Sequence, residues 1–329
     1  MLNWRIEALH LKLKYPLQAG SSAGSEKTNF LLQVTDGTYS GFGEAAPCIR
    51  FGETNELLLQ QYQVLLMAGL PSITSMEDLL QLLLEHTPVN SLRFAIESAY
   101  LHFFCQHKGI AIHQLLGQSP PKPHATCYTL PFLEPGSIKD FIRVNNLNRF
   151  RSLKVNVSPG LAEELVREVM LASSRPLVLD GNESWHDPEE LLHFLEWLDP
   201  KQVLFVEQPM PASSVVAYAH LKGNSPVPLV ADESIIDEAD FELLREQFHG
   251  VNIKLMKAGG YVNTVRLLAE ARKHGMMTML GCTTETTLGI WSGMQLCHAF
   301  DFTSLDGFLL LEDEPFKLVR EENGILYLK

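Results

Sequence analysis

The chain has no long uninterrupted apolar run, no CxxC pair and a shortage of basic residues, and each lack removes a class of function. A membrane-spanning helix needs about 20 predominantly apolar residues, and no segment supplies them. The opening MLNWRIEALHLKLKYPL alternates polar and apolar residues and carries charges throughout, so it lacks the apolar core of a signal peptide. Lys and Arg number 26 against 39 Asp and Glu. The resulting formal charge of -13 argues against nucleic acid and against an anionic membrane as main partner, since both reward positive patches. Plain solubility is a sufficient account of that charge. The five cysteines (Cys48, Cys105, Cys127, Cys282, Cys297) are odd in number and scattered, which fits reduced thiols packed as small core residues in a cytoplasmic protein.

What is there is an ordinary globular composition, 46% hydrophobic and 20% charged, over 329 residues, enough for one large domain and a smaller companion. Residues 1 to about 47 read as strands: WRIEALHLKL alternates, and NFLLQVTDGTYSGFGEA places an Asp36-Gly37 turn between two strand-like stretches. The Gly/Ser/Ala-rich segment AGSSAGSEKT (19–28) between them reads as a mobile loop. From Thr54 to about Lys108 the pattern becomes helical in three segments, each opening on a Thr, Ser or Asn suited to capping. Strands followed by helices describe a small α+β domain over 1–120.

After SPPKPH the pattern alternates between strands and helices. Eight candidate strands follow, at 125–130, 152–157, 176–182, 203–209, 228–234, 250–257, 276–282 and 301–307, separated by amphipathic segments. Eight strand-helix units over 121–307 predict a (β/α)8-type, TIM-like barrel whose active site lies at the C-terminal rim of its strands. An open doubly wound sheet is the alternative, but it gives no reason for four neighbouring strands to end in functional-looking residues. The tail, 308–329, reads as strands returning to the capping domain.

Those four strands end in Asp180, Glu207, Asp232 and Lys254, at steps of 27, 25 and 22 residues, about one strand plus one returning helix each. Carboxylates at equivalent strand ends converge on one rim and repel one another unless a cation sits among them. An acid in such a place can instead cap the following helix, but Asp187 before Pro188 is the better cap, which leaves Asp180 for another role. In Glu207-Gln208-Pro209 the proline stops the strand and presents the carboxylate at its edge. Oxygen ligands without His or Cys favour a hard cation, one Mg2+, able to hold a substrate carboxylate. Lys254 then serves as base if nearby positive charge and partial burial lower its pKa, and a buried salt-bridge role for it is compatible.

With these residues in view, DGNESW (180–185), EQP (207–209), ADES (231–234) and NIKLMKAGG (252–260) resemble the metal-binding and lysine motifs of the enolase superfamily, in its muconate-lactonising branch. GFGEAAP (41–47) and FGET (51–54) are similar to that family's capping domain, so the resemblance covers nearly the whole chain. It implies Mg2+ on Asp180, Glu207 and Asp232, with Lys254 as acid/base. Within the branch the likeness is to dipeptide epimerases of the L-Ala-D/L-Glu type, which invert the α-carbon of a dipeptide's C-terminal residue. Their eighth-strand Asp-x-Asp holds the substrate ammonium; here Ser304-Leu305-Asp306 keeps one acid. Thr129 and Glu285 match positions that face the substrate, and Asn182 and Ser304 are taken with them as substrate-binding candidates. The second strand departs from the pattern, reading Lys154-Val155-Asn156 where the family carries Lys-x-Lys, so Asn156 stands in place of the second acid/base and contributes at most to substrate binding. Epimerisation needs a proton carrier on each face of the planar intermediate. Lys154 points to the same side of the strand, about 6.6 Å below, and reaching the site from there is one account. A one-base reaction on Lys254 and a barrel that binds without turnover are the others.

The expectation is therefore a cytoplasmic, Mg2+-dependent enzyme that abstracts the α-proton of a small carboxylate, a dipeptide in the leading reading, through an enediolate. An o-succinylbenzoate synthase or N-acylamino acid racemase-like enzyme is the second reading, and a non-catalytic ligand-binding member the third. The sequence leaves the oligomeric state open, a homo-oligomer included.

Overall fold

The computed structural model describes residues 1–19 and 22–329. Strands β1 (Asn3–Ala19), β2 (Ser22–Thr35) and β3 (Ser40–Ala45) form an antiparallel sheet in that order. The segment 19–28, expected to be loop, is strand from Ser22 onward, with Lys12 opposite Glu26 and Gln18 opposite Ala23; its residues 20 and 21 lie outside the described residues. Cross-strand backbone bonding there outweighs the weak strand preference of Gly and Ser. The Asp36-Gly37 turn forms as expected, with Asp36 Oδ1 accepting the Thr38 and Tyr39 N–H groups, both at 2.8 Å.

Helices α1 (Asn55–Met67) and α2 (Met76–His86) start on Thr54 and Ser75, whose hydroxyls accept the Leu57 and Asp78 N–H groups. The next helix, α3 (Asn90–Lys108), has no side-chain cap of its own. Glu53 supplies one from the loop before α1 by accepting the Ser91 N–H at 3.1 Å. α3 lies so close on β3 that a Cβ at Gly43 would collide with the Ala95 carbonyl. Around this contact Phe30, Leu32, Leu58, Tyr62, Leu83 and Tyr100 form the cap's own core.

Helix α4 (Ile112–Leu115) and strand β4 (His124–Ala125) lead into the larger unit. There β5 (Tyr128–Thr129), α5 (Ile138–Val144), β6 (Leu153–Asn156), α6 (Ala162–Ala172), β7 (Leu177–Asp180), α7 (Pro188–Trp197), β8 (Val203–Glu207) and α8 (Val215–Asn224) follow in turn. They continue as β9 (Leu229–Ala231), α9 (Phe241–Gln247), β10 (Gly250–Lys254), α10 (Leu255–Ala258), α11 (Tyr261–Lys273), β11 (Met277–Gly281), α12 (Thr287–Met294) and β12 (Phe302–Ser304). The eight strands β5 to β12 lie side by side in chain order, and every ladder between neighbours is parallel. This is the expected (β/α)8 barrel. The ends of the sheet meet through side chains: Thr303 Oγ1 donates to the Ala125 carbonyl at 2.7 Å, and the Thr129 N–H donates to Asp306 Oδ2 at 2.6 Å. Val178, Phe205, Val230 and Met279 fill the barrel's interior as a separate apolar layer.

After the barrel Leu311 bridges Leu13 of β1, and the hairpin of β13 (Val319–Glu322) and β14 (Ile325–Leu328) adds onto β4. All five cysteines are free. No helix among the described residues is long and apolar enough to cross a membrane.

Two cap carboxylates dock onto barrel helices. Glu44 of β3 accepts the Thr286 N–H at 2.9 Å and the Gly289 N–H at 3.1 Å, at the start of α12. Glu97 of α3 accepts the Val262 N–H at 3.0 Å, at the start of α11. Helix N-termini carry unpaired N–H groups and partial positive charge, which makes them receptors for such acids.

Burial pushes the Glu97 carboxyl up from 4.5 to about 7, against the opposing pull of the Val262 N–H and of Arg93. A folded pKa above the unfolded one gives stability that is complete below the unfolded value and lost as pH rises through the folded value. Thermal unfolding should therefore show stability falling from pH 5 to pH 8, and Glu97→Gln should flatten that fall; an unchanged slope in the variant would refute the assignment to Glu97.

Candidate active site

Alternate residues of a barrel strand point inward, so each of the three acids stands above a residue of the apolar interior layer. Val178 lies beneath Asp180, Phe205 beneath Glu207 and Val230 beneath Asp232. Register places Asn156 beside Asp180 and Asp180 beside Glu207. The sequence motifs build the loops that carry these acids. Gly181 is required because Pro209 passes so close that a Cβ at 181 would overlap its Cα. The Gly181 N–H then donates to the Glu207 carbonyl and the Trp185 N–H to the Pro209 carbonyl, both at 2.9 Å. Gln208 holds the next loop: its Oε1 accepts the Asp232 N–H at 2.9 Å and the Ser234 N–H at 3.1 Å.

Each of the six carboxylate oxygens of Asp180, Glu207 and Asp232 accepts a bond from the protein. Asp180 Oδ1 takes the Asn182 N–H at 3.0 Å, and Oδ2 takes Lys154 Nζ at 2.7 Å. Glu207 Oε2 takes the same Lys154 Nζ at 2.8 Å, and Oε1 takes Asn252 Nδ2 at 2.7 Å. Asp232 Oδ2 takes Lys254 Nζ at 2.7 Å, while Oδ1 takes Lys257 Nζ. Three buried negative charges are thus met by three ammonium groups. Lys257 also donates to the Ile235 and Asn252 carbonyls, at 3.0 and 3.1 Å. Of the three lysine side chains Lys254 is 15% exposed, Lys154 8% and Lys257 2%, so Lys254 is the one a ligand meets first.

This arrangement sets the protonation states. Burial disfavours charge on Lys154, but Asp180, Glu207 and Asp232 outweigh it and hold the ammonium well above the lysine range. Burial disfavours charge on Lys254 too, but Asp232 and Glu207 outweigh it and raise its pKa, as the salt-bridge role read alongside that of base implies. Burial likewise works to raise the Asp232 carboxyl, yet Lys254, Lys257 and Lys154 hold it well below the carboxylate range. Burial dominates at Glu207, pushing it up to about 7 despite Lys154.

The donor set suits a hard divalent cation: three carboxylates at one rim, with two buried acceptor atoms beside them, Asn252 Oδ1 and Glu233 Oε2, that meet no donor. The oxygens of the three acids do not gather within 4.8 Å of one another, and Lys154 Nζ stands between Asp180 and Glu207. Among the described residues only His124, Cys297 and His298 bring three ligand atoms that close. That group is poorly suited to metal, because His298 Nε2 already accepts the Lys122 N–H at 2.7 Å and burial pushes the Cys297 thiol up to about 12.

The remaining sequence-predicted residues fall into two groups. Asn156 and Asn182 meet beside Asp180, where Asn182 Nδ2 donates to Asn156 Oδ1 at 2.9 Å and Asn156 Nδ2 donates to the Leu130 carbonyl at 3.3 Å. Across the seam of the barrel, Asp306 accepts Ser304 Oγ at 2.9 Å as well as the Thr129 N–H. Cys127, which sequence reasoning left out, donates its thiol to Ser304 Oγ at 3.0 Å. Glu285 forms no ion pair with Lys154, Lys254 or Lys257 and accepts the Thr283 N–H at 2.9 Å. Burial and nearby Glu44 push it up to about 8. Arg50 was also missed: from the cap loop it pairs with Glu233 and donates to the Asn182 carbonyl at 3.4 Å, tying the cap to two strand ends. Asn252 and Lys257 were inside a quoted motif without a role, although Asn252 shares the inward face of Lys254 two residues away.

A family model described as Enolase C-terminal domain-like matches residues 139–321. The L-Ala-D/L-amino acid epimerase of Pedosphaera parvula is 33% identical over 334 residues, covering 96% of this chain and 93% of the relative. The L-Ala-D/L-Glu epimerase of Bacteroides thetaiotaomicron is 28% identical over 322 residues, 97% of this chain and 83% of the relative. A dipeptide epimerase from Methylococcus capsulatus, solved with Mg and the dipeptide L-Arg-D-Lys, superposes with a TM-score of 0.87 at 24% identity, over 99% of this chain and 96% of that one.

Gly181→Ala should lower stability by about 1–3 kcal/mol, as overpacking does, and should weaken divalent-cation binding by displacing Asp180. Thermal unfolding and calorimetric titration with Mg2+ check both; an alanine variant that binds Mg2+ as the parent does would show that the Pro209 contact does not position the acid.

Proposed function

This chain belongs to the enolase superfamily, and from that membership we propose that it is a cytoplasmic isomerase of the epimerase and racemase type, which removes the α-proton of a small carboxylate, a dipeptide first. Residues 121–307 are its catalytic barrel, and 1–120 with the 308–329 tail its cap. The observation that carries the reading is the rim itself: Asp180, Glu207 and Asp232 at three successive strand ends, with Lys254 on the next strand and in contact with Asp232. The three acids would hold Mg2+, which when bound supplies positive charge against the negative charge that builds on a substrate carboxylate as the neighbouring C–H bond breaks. As a free amine Lys254 accepts that proton at Nζ, and the ammonium so formed returns a proton in the reverse direction. Asn156 takes no proton from carbon. Its amide is fixed by Asn182 and Leu130, which suits it to orienting a substrate rather than reacting with it.

One observation favours a second substrate class. Both oxygens of Asp306 already accept bonds, from Ser304 Oγ and the Thr129 N–H, so part of its acceptor capacity is taken before a substrate ammonium arrives. N-Acylamino acids, and the substrate of an o-succinylbenzoate synthase-like reaction, need no such acid.

Incubation with Mg2+ in deuterated water, across a dipeptide panel and N-acylamino acids, tests the proposal by mass gain and stereochemistry. Deuterium in both stereoisomers supports epimerisation, and exchange with retained configuration leaves Lys254 acting alone. No exchange with any substrate sinks the enzymatic reading for these classes. Lys254→Ala should lower exchange by about 10²- to 10⁴-fold, the usual contribution of a positioned acid/base. Chelation of the metal should abolish exchange, and Mg2+ should restore it.

A further inference from the structure

The barrel has a second mouth, at the N-terminal ends of its strands and away from the acids. A cavity of about 180 Å3 lies there, and the reaction proposed above makes no use of it. Its inner wall is apolar, formed by Val178, Phe205 and Met279 of the interior layer, which stand between it and the acids. Phe302 adds an aromatic side wall. The cavity is smaller than the pockets of about 300–1,000 Å3 that hold drug-sized ligands, so it suits a molecule of few heavy atoms.

Two opposite charges line this cavity without meeting. Arg151 stands two residues before β6 and Asp301 one residue before β12. Around the barrel β5 lies between those strands, so two strand spacings, about 10 Å, separate the two positions. Among the described residues Arg151 makes no ion pair and no side-chain hydrogen bond. Asp301 is held in place: its Oδ2 accepts the Thr278 N–H at 2.8 Å and Thr278 Oγ1 at 2.9 Å, while Oδ1 meets no donor among the described residues. Ser152, beside Arg151, is only 9% exposed, and among the same residues its hydroxyl has no partner either. Burial, with His298 and Arg151 nearby, holds His124 below the usual histidine range, which leaves Arg151 as the cation of this mouth.

These features define the chemistry of an occupant. The apolar wall takes an aliphatic or aromatic body. The Arg151 guanidinium and Ser152 hydroxyl donate to a carboxylate, and Asp301 Oδ1 accepts from an ammonium. A singly charged ligand satisfies one of the two charges and repels the other. A molecule bearing both charges at one end, with an apolar body behind them, satisfies all three surfaces. We propose that the N-terminal mouth of the barrel binds a free α-amino acid with an apolar side chain, its carboxylate toward Arg151 and Ser152 and its ammonium toward Asp301. The site is independent of the metal and of the substrate at the opposite rim.

Calorimetric titration of the whole protein with L-leucine, isocaproate and isoamylamine tests this, because the two analogues each lack one of leucine's charges. Leucine should bind about tenfold more tightly than either, the worth of one charged hydrogen bond. Glycine, which lacks the apolar body, should bind more weakly than leucine. Arg151→Gln and Asp301→Asn should each weaken leucine binding by a similar factor; Arg151 is exposed, and asparagine keeps an acceptor for Thr278, so both variants should fold. Lys254→Ala, at the other end of the barrel, should leave leucine binding unchanged. No binding of leucine, equal binding of either analogue, or loss of leucine binding in Lys254→Ala overturns the proposal.

Discussion

Three carboxylates buried at one barrel rim can coexist only with positive charge among them, and the rest of the site follows from that requirement. An unpaired buried charge costs several kcal/mol. The chain answers with three ammonium groups, two of them on strands that flank the acids. Gln208, Asn182 and Asn252 fix the orientation of the same carboxylates through amide and backbone N–H groups. Positive charge supplied from within offsets the burial of the three acids.

The apolar layer below gives this polar cluster its rigidity. Val178, Phe205 and Val230 each sit two residues before an acid on the same strand. Close packing there leaves the strands little freedom to shift. Precision above the layer comes from Pro209 and Gly181, whose contact locks two neighbouring loops together.

Much of this was legible in the sequence, for definite reasons. Eight apolar runs with amphipathic segments between them give the barrel, because strand and helix periods differ and each unit has a fixed minimum length. The acids at 180, 207 and 232 stand out because equivalent strand ends must meet. Local signals also read correctly where local chemistry decides, as at the Asp36 turn and at Asp187, which caps α7 by accepting the Glu189 N–H. Contacts between distant parts of the chain were not legible. Nothing in FGET marks Glu53 as the partner of Ser91, and nothing in IRFG marks Arg50 as the partner of Glu233. The segment after Ser22 looked like loop because its composition is poor in strand formers, while its structure is set by the strand beside it. A salt bridge for Lys254 was legible as a role compatible with that of base; which of the acids it meets, Asp232, was not.

Glu44 and Glu97 carry one more consequence. Each supplies, from the cap, hydrogen bonds that a barrel helix needs at its start. Cutting the chain at the link before β4 would take away the acceptor of the Val262 N–H at the start of α11 and that of the Thr286 and Gly289 N–H groups at α12, and leave two acids stranded on the other fragment. The two units differ in shape yet share these helix ends: acceptors for barrel amides come from residues that precede the barrel in the chain.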